Sequence, residues 1–234
     1  MEERKQSQRI LTSILNGPER KLLVYLAGKM PKWVTSDMLT FVGTLGAIII
    51  AIGYALSNYN LNWLWLASFG FLVNWYGDSL DGSLARVRNK QRPLYGFFLD
   101  HTVDCLNETI MFIGVGLSPL LNITTSLFVL VTYLLLSVYV YIAAHLKNEF
   151  KLTYAGLGPT EFRIIVVIVN TLFIFIKPLS EIFTEVTLLG TTMRLGIFDF
   201  IGLAIGLIIF MMFFVSVIKD ARYFAKIDPL KKDE

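Results

Sequence analysis

Four aspartates interrupt an otherwise apolar part of this 234-residue chain: Asp78, Asp81, Asp100 and Asp104. The first two stand three residues apart and the last two four apart, so on helices each pair shares one face. Carboxylates so placed repel one another and cannot all stay ionised in apolar surroundings without a counter-charge. One or two divalent cations suit them best, and an all-oxygen donor set favours Mg²⁺, Mn²⁺ or Ca²⁺ over zinc or copper. Helix-end capping, with Asp100 at a positive helix N-terminus and Asp78 paired to Arg86 or Arg88, would explain one or two acids but not four. The residues between the acids suit a nucleoside diphosphate. Gly82 and Ala85 leave room for a base or ribose, and Arg86 offers a fork to phosphate oxygens. Gly96, four residues before Asp100, strips bulk from the second helix. Small residues in membrane helices more often serve packing, but the place of these among the acids assigns them to a pocket.

The elements that must hold these residues are membrane helices. The chain is 55% hydrophobic and 17% charged, against about 25% charge in soluble domains. Its mean hydropathy is +0.61. Six segments are long and apolar enough to span, at about 37–57, 61–86, 97–119, 123–147, 160–178 and 196–218. The fold class is therefore an all-α integral membrane protein. It reads as one domain over 1–234: an N-terminal region (1–36), a six-helix core (37–218) and a tail (219–234). Apolar stripes at Ile10, Leu11, Ile14 and Leu15, and at Leu22, Leu23 and Leu26, predict an amphipathic helix in the membrane interface. Of the 21 basic residues all but Lys177 and Arg194 fall at the termini or in the loops after segments two and four. Both termini and the acid cluster are thus expected on the cytoplasmic side, of a prokaryotic inner membrane or of a eukaryotic ER or Golgi membrane. Segment two carries Asp78 roughly 25 Å from its start, to the inner interface, and segment three begins there, so the carboxylate pairs face each other at one depth. The single cysteine, Cys105, excludes an intrachain disulfide. Asn122-Ile123-Thr124 matches a glycosylation acceptor but sits too close to the membrane to be used.

Asp78-x-x-Asp81-Gly82-x-x-Ala85-Arg86, nine residues, then Gly96-x-x-x-Asp100-x-x-x-Asp104 resembles the signature of the CDP-alcohol phosphotransferase (CDP-alcohol phosphatidyltransferase) family. The resemblance implies that Asp78, Asp81 and Asp100 are metal ligands, and that Asp104 is both ligand and general base. It also implies that Gly82, Ala85, Arg86 and Gly96 line the CDP pocket, and that the protein is a homodimer. Asp37 and Thr40, at the head of segment one, stand where members often carry Pro-Asn-x-x-Thr next to the nucleotide; here Ser36 and Asp37 replace Pro and Asn. An N-cap by Ser36 or Asp37 explains that position equally well.

The implied activity is an enzyme that transfers a substituted phosphate from a CDP-alcohol to a hydroxyl, with release of CMP, in phospholipid synthesis. The partners are the CDP-alcohol, a lipid or alcohol acceptor and membrane lipids; no nucleic acid is expected. Asp100-His101-x-x-Asp104 is similar to the string in choline and ethanolamine phosphotransferases. With few other basic residues near, it tilts the reading toward a CDP-amino-alcohol and a diacylglycerol-type acceptor. The alternative is a CDP-diacylglycerol-dependent phosphatidyltransferase acting on glycerol phosphate, inositol phosphate or serine. Three residues bear on the choice. Arg163 could hold a phosphate on the acceptor, Glu161 could offset a cationic amine, and His101, about 100° round the helix from Asp100, packs or binds phosphate rather than attacks. An ion or solute transporter would also place acids in membrane helices, but in broken helices near mid-membrane and often in related halves, neither of which is visible here.

Overall fold

A computed structural model describes residues 8–10, 14–147, 149–151, 158–176, 182–188 and 191–229. Leu11 and Lys177, named above, and the terminal basic residues Arg4, Lys5, Lys231 and Lys232, counted among the 21, lie outside the described residues. Helix predominates among the described residues. The helices are α1 (Asn16–Lys29), α2 (Ser36–Leu56), α3 (Leu64–Val87), α4 (Pro93–Gly116), α5 (Ile123–Lys147), α6 (Pro159–Phe175) and α7 (Ile197–Ile227), with a 3₁₀ turn at Leu61–Trp63. α2 to α6 follow the expected segments closely, while α7 starts as expected and runs on to Ile227, past the expected end at 218. By length and hydropathy three of them, α2, α5 and α7, qualify as membrane spans. α3 carries Asp78, Asp81 and Arg86 along its length, and α6 has only 17 residues, about 26 Å of helix.

The fold is not purely helical. β1 (Gln8–Ile10) runs parallel to β2 (Glu149–Lys151), and β3 (Phe183–Leu188) pairs antiparallel with β4 (Thr191–Gly196) between α6 and α7. The hairpin forms because this connection is rich in Thr and too polar and short to span. Glu185 stands directly opposite Arg194, and the Arg194 guanidinium lies 3.1 Å over the Phe183 ring.

α2 is the spine. Between helices in lipid the hydrophobic effect is weak, and close packing through small residues replaces it. Gly43, Gly46 and Gly53 of α2 face α3, whose Gly70 and Gly77 face back. A methyl group on Gly70 would come within 2.7 Å of the Ile50 amide nitrogen, and one on Gly46 within 2.6 Å of the Asn74 Cα. Gly114 presses α4 onto Ala51 of α2 in the same way. Asn74, 2% exposed, fixes the register by donating from Nδ2 to the Gly43 carbonyl at 3.0 Å. Further along, the Tyr54 hydroxyl donates to Asn170 Oδ1 at 3.0 Å, and Asn170 Nδ2 donates to Ser68 Oγ at 3.3 Å, joining α2, α6 and α3. At the far end of α7, Asp220 accepts from Tyr139 at 2.7 Å and pairs with Lys147 at 2.6 Å, tying α7 to α5.

α1 packs on the protein itself. Leu23 and Ala27 are buried with Leu39, Leu80 and Leu84, while Leu22, Val24 and Tyr25 stay exposed. Arg88 holds the connection to α2 by donating to the carbonyls of Met30 (3.2 Å), Pro31 (2.7 Å) and Val34. The N-cap of α2 is Thr35, whose Oγ1 accepts from the Met38 amide at 3.2 Å, rather than Ser36 or Asp37. Asn122 caps the start of α5 by accepting from the Thr124 amide at 2.9 Å. The α3–α4 connection is tight because Asn89 takes a left-handed conformation (φ 53°). The Lys90 amide then closes α3 onto the Ala85 carbonyl at 2.9 Å, and Pro93 begins α4.

Replacing Gly77 by Leu should force α3 off α2, because its side chain would meet Gly43 and the Leu39 carbonyl. The expected outcome is a loss of about 1–3 kcal/mol or more, read as a lower thermal midpoint in detergent. Gly28→Ala, where nothing lies within 4 Å, should leave that midpoint unchanged or raise it.

Candidate active site

The tail of α3, the head of α4 and the head of α2 meet at one end of the bundle. The Ser36 hydroxyl donates to the Asp81 carbonyl at 3.0 Å, and the Tyr95 hydroxyl to Asp37 Oδ2 at 3.2 Å. On α3, Asn74, Asp78, Asp81 and Ala85 recur at helical spacing along one face; on α4, Asp100 and Asp104 do the same. Asp78, Asp100 and Asp104 each bring one carboxylate oxygen to within 4.8 Å of the others. Oxygens bound to one ion at about 2.1–2.4 Å can be no further apart than about 4.2–4.8 Å, so the three fit a shared divalent cation with little movement. They are three hard, anionic oxygen donors with no competing sulfur or imidazole in the set, which suits Mg²⁺ or Mn²⁺.

Asp81 sits beside this trio but is turned toward α2. Its Oδ2 accepts from the Thr40 hydroxyl at 2.6 Å and its Oδ1 from the Gly82 amide. Thr40 thus holds one of the four acids, while Asp37 is engaged by Tyr95 at the rim.

The cation facing the trio comes from α6. Arg163 Nη2 lies 2.6 Å from Asp78 Oδ2, and Nε donates to Asn74 Oδ1 at 3.1 Å. Asp78 therefore pairs with neither Arg86 nor Arg88. Arg86, exposed, donates to Ser83 Oγ at 3.0 Å, and Arg88 serves the backbone as described. The Gly82 and Gly96 positions differ from the packing glycines. A methyl on Gly96 would meet nothing within 4 Å, and one on Gly82 would meet only the Arg86 guanidinium, at 3.4 Å.

Glu161 is placed otherwise than expected for a head-group contact. It is 8% exposed; its Oε1 accepts from the Leu15 amide at 2.8 Å and its Oε2 from the Gly158 amide at 2.9 Å. One helical turn of α6 is thereby capped and fastened to the start of α1. Glu19 strengthens the joint, accepting from Trp75 Nε1 at 2.7 Å and Thr160 Oγ1 at 2.6 Å. His101 packs: its ring lies 4.1 Å from that of Phe97 and 4.5 Å from that of Tyr141, and Nδ1 is 2.7 Å from the Phe97 carbonyl. That aromatic setting explains the residue after Asp100 without a role for it in choosing a head group.

Two residues of the site escape a reading of the sequence. Asn74 is legible only as a polar residue one turn before Asp78. Glu108 continues the four-residue spacing of Asp100 and Asp104 into the apolar part of α4, where the Tyr133 hydroxyl lies beside its carboxylate.

This geometry defines a cluster of three carboxylates and one guanidinium where helices of an apolar bundle meet. Residues 33–198 match the family model for CDP-alcohol phosphatidyltransferase, and the chain belongs to that family. Among its relatives is a phosphatidylinositol phosphate synthase of Cutibacterium acnes, 36% identical over 36% of this chain and 38% of that protein. Archaetidylinositol phosphate synthases of Pyrococcus horikoshii and Methanothermobacter thermautotrophicus are each 30% identical. The first match covers 62% of this chain and 72% of that protein, the second 58% and 66%. A solved phosphatidylinositol phosphate synthase of Mycobacterium tuberculosis, with CDP-DAG bound, covers 86% of this chain and 91% of that one at 20% identity and a TM-score of 0.47. The three sequence relatives are named for phosphorylated inositol lipids, not for choline or ethanolamine products. They favour the phosphatidyltransferase alternative over the amino-alcohol reading.

Asp78→Asn and Asp100→Asn should each weaken Mn²⁺ binding by tenfold or more (about 1.4 kcal/mol), measured by titration of the purified protein. Asp37→Asn, at the rim, should leave it within about twofold.

Proposed function

We propose that this chain transfers a phosphatidyl-type group from a CDP-linked lipid to a hydroxyl of a phosphorylated polyol of the inositol phosphate class, releasing CMP. The observation that carries the reading is Arg163, a fixed cation beside the carboxylate trio. Its Nε and Nη2 are engaged by Asn74 and Asp78, which leaves Nη1 for an acceptor phosphate. An amino-alcohol donor would meet a positive charge at that place, and the one acid proposed to offset it, Glu161, is occupied by two backbone amides. The names of the relatives point the same way.

The residues then take these roles. Asp78, Asp100 and Asp104 would hold a divalent ion, with Asp81 completing the set on release from Thr40. A bound ion neutralises charge on the diphosphate and on the departing CMP. The open space at Gly82 and Gly96, with Arg86 beside it, admits the cytidine diphosphate; Ala85 continues that face, and Asp37 and Thr40 border it. Asp104 accepts the proton of the acceptor hydroxyl. The hydroxyl oxygen forms the new bond to the lipid-bearing phosphorus, and the bond from that phosphorus to CMP breaks, the electron pair leaving with CMP. No covalent enzyme intermediate is needed. The site faces the cytoplasm, α1 lies against the membrane interface, and the working unit is a homodimer; the distribution of basic residues supports the first and family membership the last.

Purified protein should release CMP from CDP-diacylglycerol with inositol phosphate, only with Mg²⁺ or Mn²⁺, and EDTA should stop it. CMP release from CDP-choline or CDP-ethanolamine with diacylglycerol, and not from the first pair, would overturn the proposal. Asp104→Asn should lower transfer by roughly 10²–10⁴-fold while donor binding persists.

A further inference from the structure

Buried polar atoms are nearly always paired, so those left over mark places where something is missing. Among the described residues two buried side-chain atoms have no partner: Asn107 Oδ1 and Glu108 Oε2. They are sequence neighbours, both on α4, one turn beyond Asp104, about 6 Å deeper into the bundle. By helical angle Asn107 lies within about 20° of Asp100, and Glu108 about 40° round from Asp104, so both border the face that carries the carboxylate trio. Asn107 is 5% exposed. The Glu108 carboxylate has the Tyr133 hydroxyl of α5 beside it, and the charges of Asp78 and Arg163 reach it.

The chemical type of the two atoms matters as much as their place. Both are hydrogen-bond acceptors, and neither has found a donor. A phosphate or carboxylate would add further acceptors there. A hydroxyl supplies what each lacks, and a neutral hydroxyl costs little to bring beside Arg163 and the acids. Leaving a buried acceptor unmet is costly, so the ligand that meets it gains the corresponding affinity.

We infer that Glu108, with Asn107, forms the floor of the acceptor pocket and binds non-reacting hydroxyls of the polyol, selecting acceptors that carry several hydroxyls over those with one. The inference rests on the phosphorylated-polyol reading above and names what holds the other end of that acceptor. Asp104 takes the reacting hydroxyl, Arg163 the phosphate, and Glu108 and Asn107 the ring hydroxyls below. Glu108 is then a specificity residue that touches substrate.

The test compares wild type with Glu108→Gln and Glu108→Ala in detergent, with CDP-diacylglycerol as donor and two acceptors. Inositol phosphate carries extra hydroxyls; 2-hydroxyethyl phosphate carries only the reacting one. Glu108→Gln should raise the KM for inositol phosphate by roughly ten- to hundredfold. The donor KM, the Mn²⁺ half-saturation and the use of 2-hydroxyethyl phosphate should stay within about twofold. Its thermal midpoint should not fall, because Gln keeps an oxygen for the Tyr133 hydroxyl and the Oε2 atom has no protein partner to lose. Glu108→Ala should repeat the acceptor effect. An unchanged KM for inositol phosphate in both variants, or a shift in Mn²⁺ half-saturation in place of it, overturns the assignment while leaving the proposed reaction standing. Wild type that transfers to no phosphorylated polyol overturns both.

Discussion

Mutual repulsion among carboxylates is the constraint around which the rest of this structure is arranged. Asp78, Asp81, Asp100 and Asp104 come from two helices of a membrane protein, and Glu108 follows one turn further on. In such surroundings unpaired negative charge is costly, so every acid requires a partner. The chain supplies part of the answer: Arg163 for Asp78, and Thr40 with the Gly82 amide for Asp81. The oxygen trio of Asp78, Asp100 and Asp104 remains net negative even so, and its span matches a single divalent ion.

Holding like charges together requires a rigid frame, and the glycine seam provides it. Gly43, Gly46 and Gly53 on α2 let α3 approach so closely that Asn74 reaches the Gly43 carbonyl and Thr40 reaches Asp81. The same approach brings the α6 cation into play, since Asn74 uses its second polar atom to aim Arg163. α1 enters this frame from outside. Through Glu19 and the Leu15 amide it fastens the first turn of α6, two residues from Arg163. A helix that could have rested on the membrane alone is thus also part of what fixes the site.

Much of this was legible in the residues. Hydropathy delimits α2 to α6 to within a few residues, because lipid demands long apolar runs; α7 runs on to Ile227, beyond the expected end at 218, and only α2, α5 and α7 qualify as spans by length and hydropathy. The aspartate spacing brings Asp78 of α3 to Asp100 and Asp104 of α4, because period and depth are geometric quantities, but Asp81 turns to Thr40 of α2 instead. Other features depend on contacts that no spacing encodes. Glu161 stands in a charged string that reads as a chamber wall, yet the Gly158 and Leu15 amides claim both its oxygens. Asp78 has Arg86 and Arg88 nearer in sequence, yet its partner is 85 residues away. His101 matches a head-group pattern, while Phe97 and Tyr141 account for it by packing. Glu108 hides in an apolar run, where only the unmet oxygen reveals it. The hairpin of β3 and β4 was missed because short Thr-rich connections carry little periodic signal.

A transferase of CDP-alcohols needs an anion-compensating centre next to a site for the incoming hydroxyl; under the proposed reaction both would lie where the carboxylates of α3 and α4 meet Arg163 of α6. The most direct test is a structure of the protein grown with Mn²⁺, with the metal located by its anomalous scattering. The account predicts a peak in contact with carboxylate oxygens of Asp78, Asp100 and Asp104 at about 2.1–2.4 Å. A peak held elsewhere, or none at saturating Mn²⁺, would contradict it.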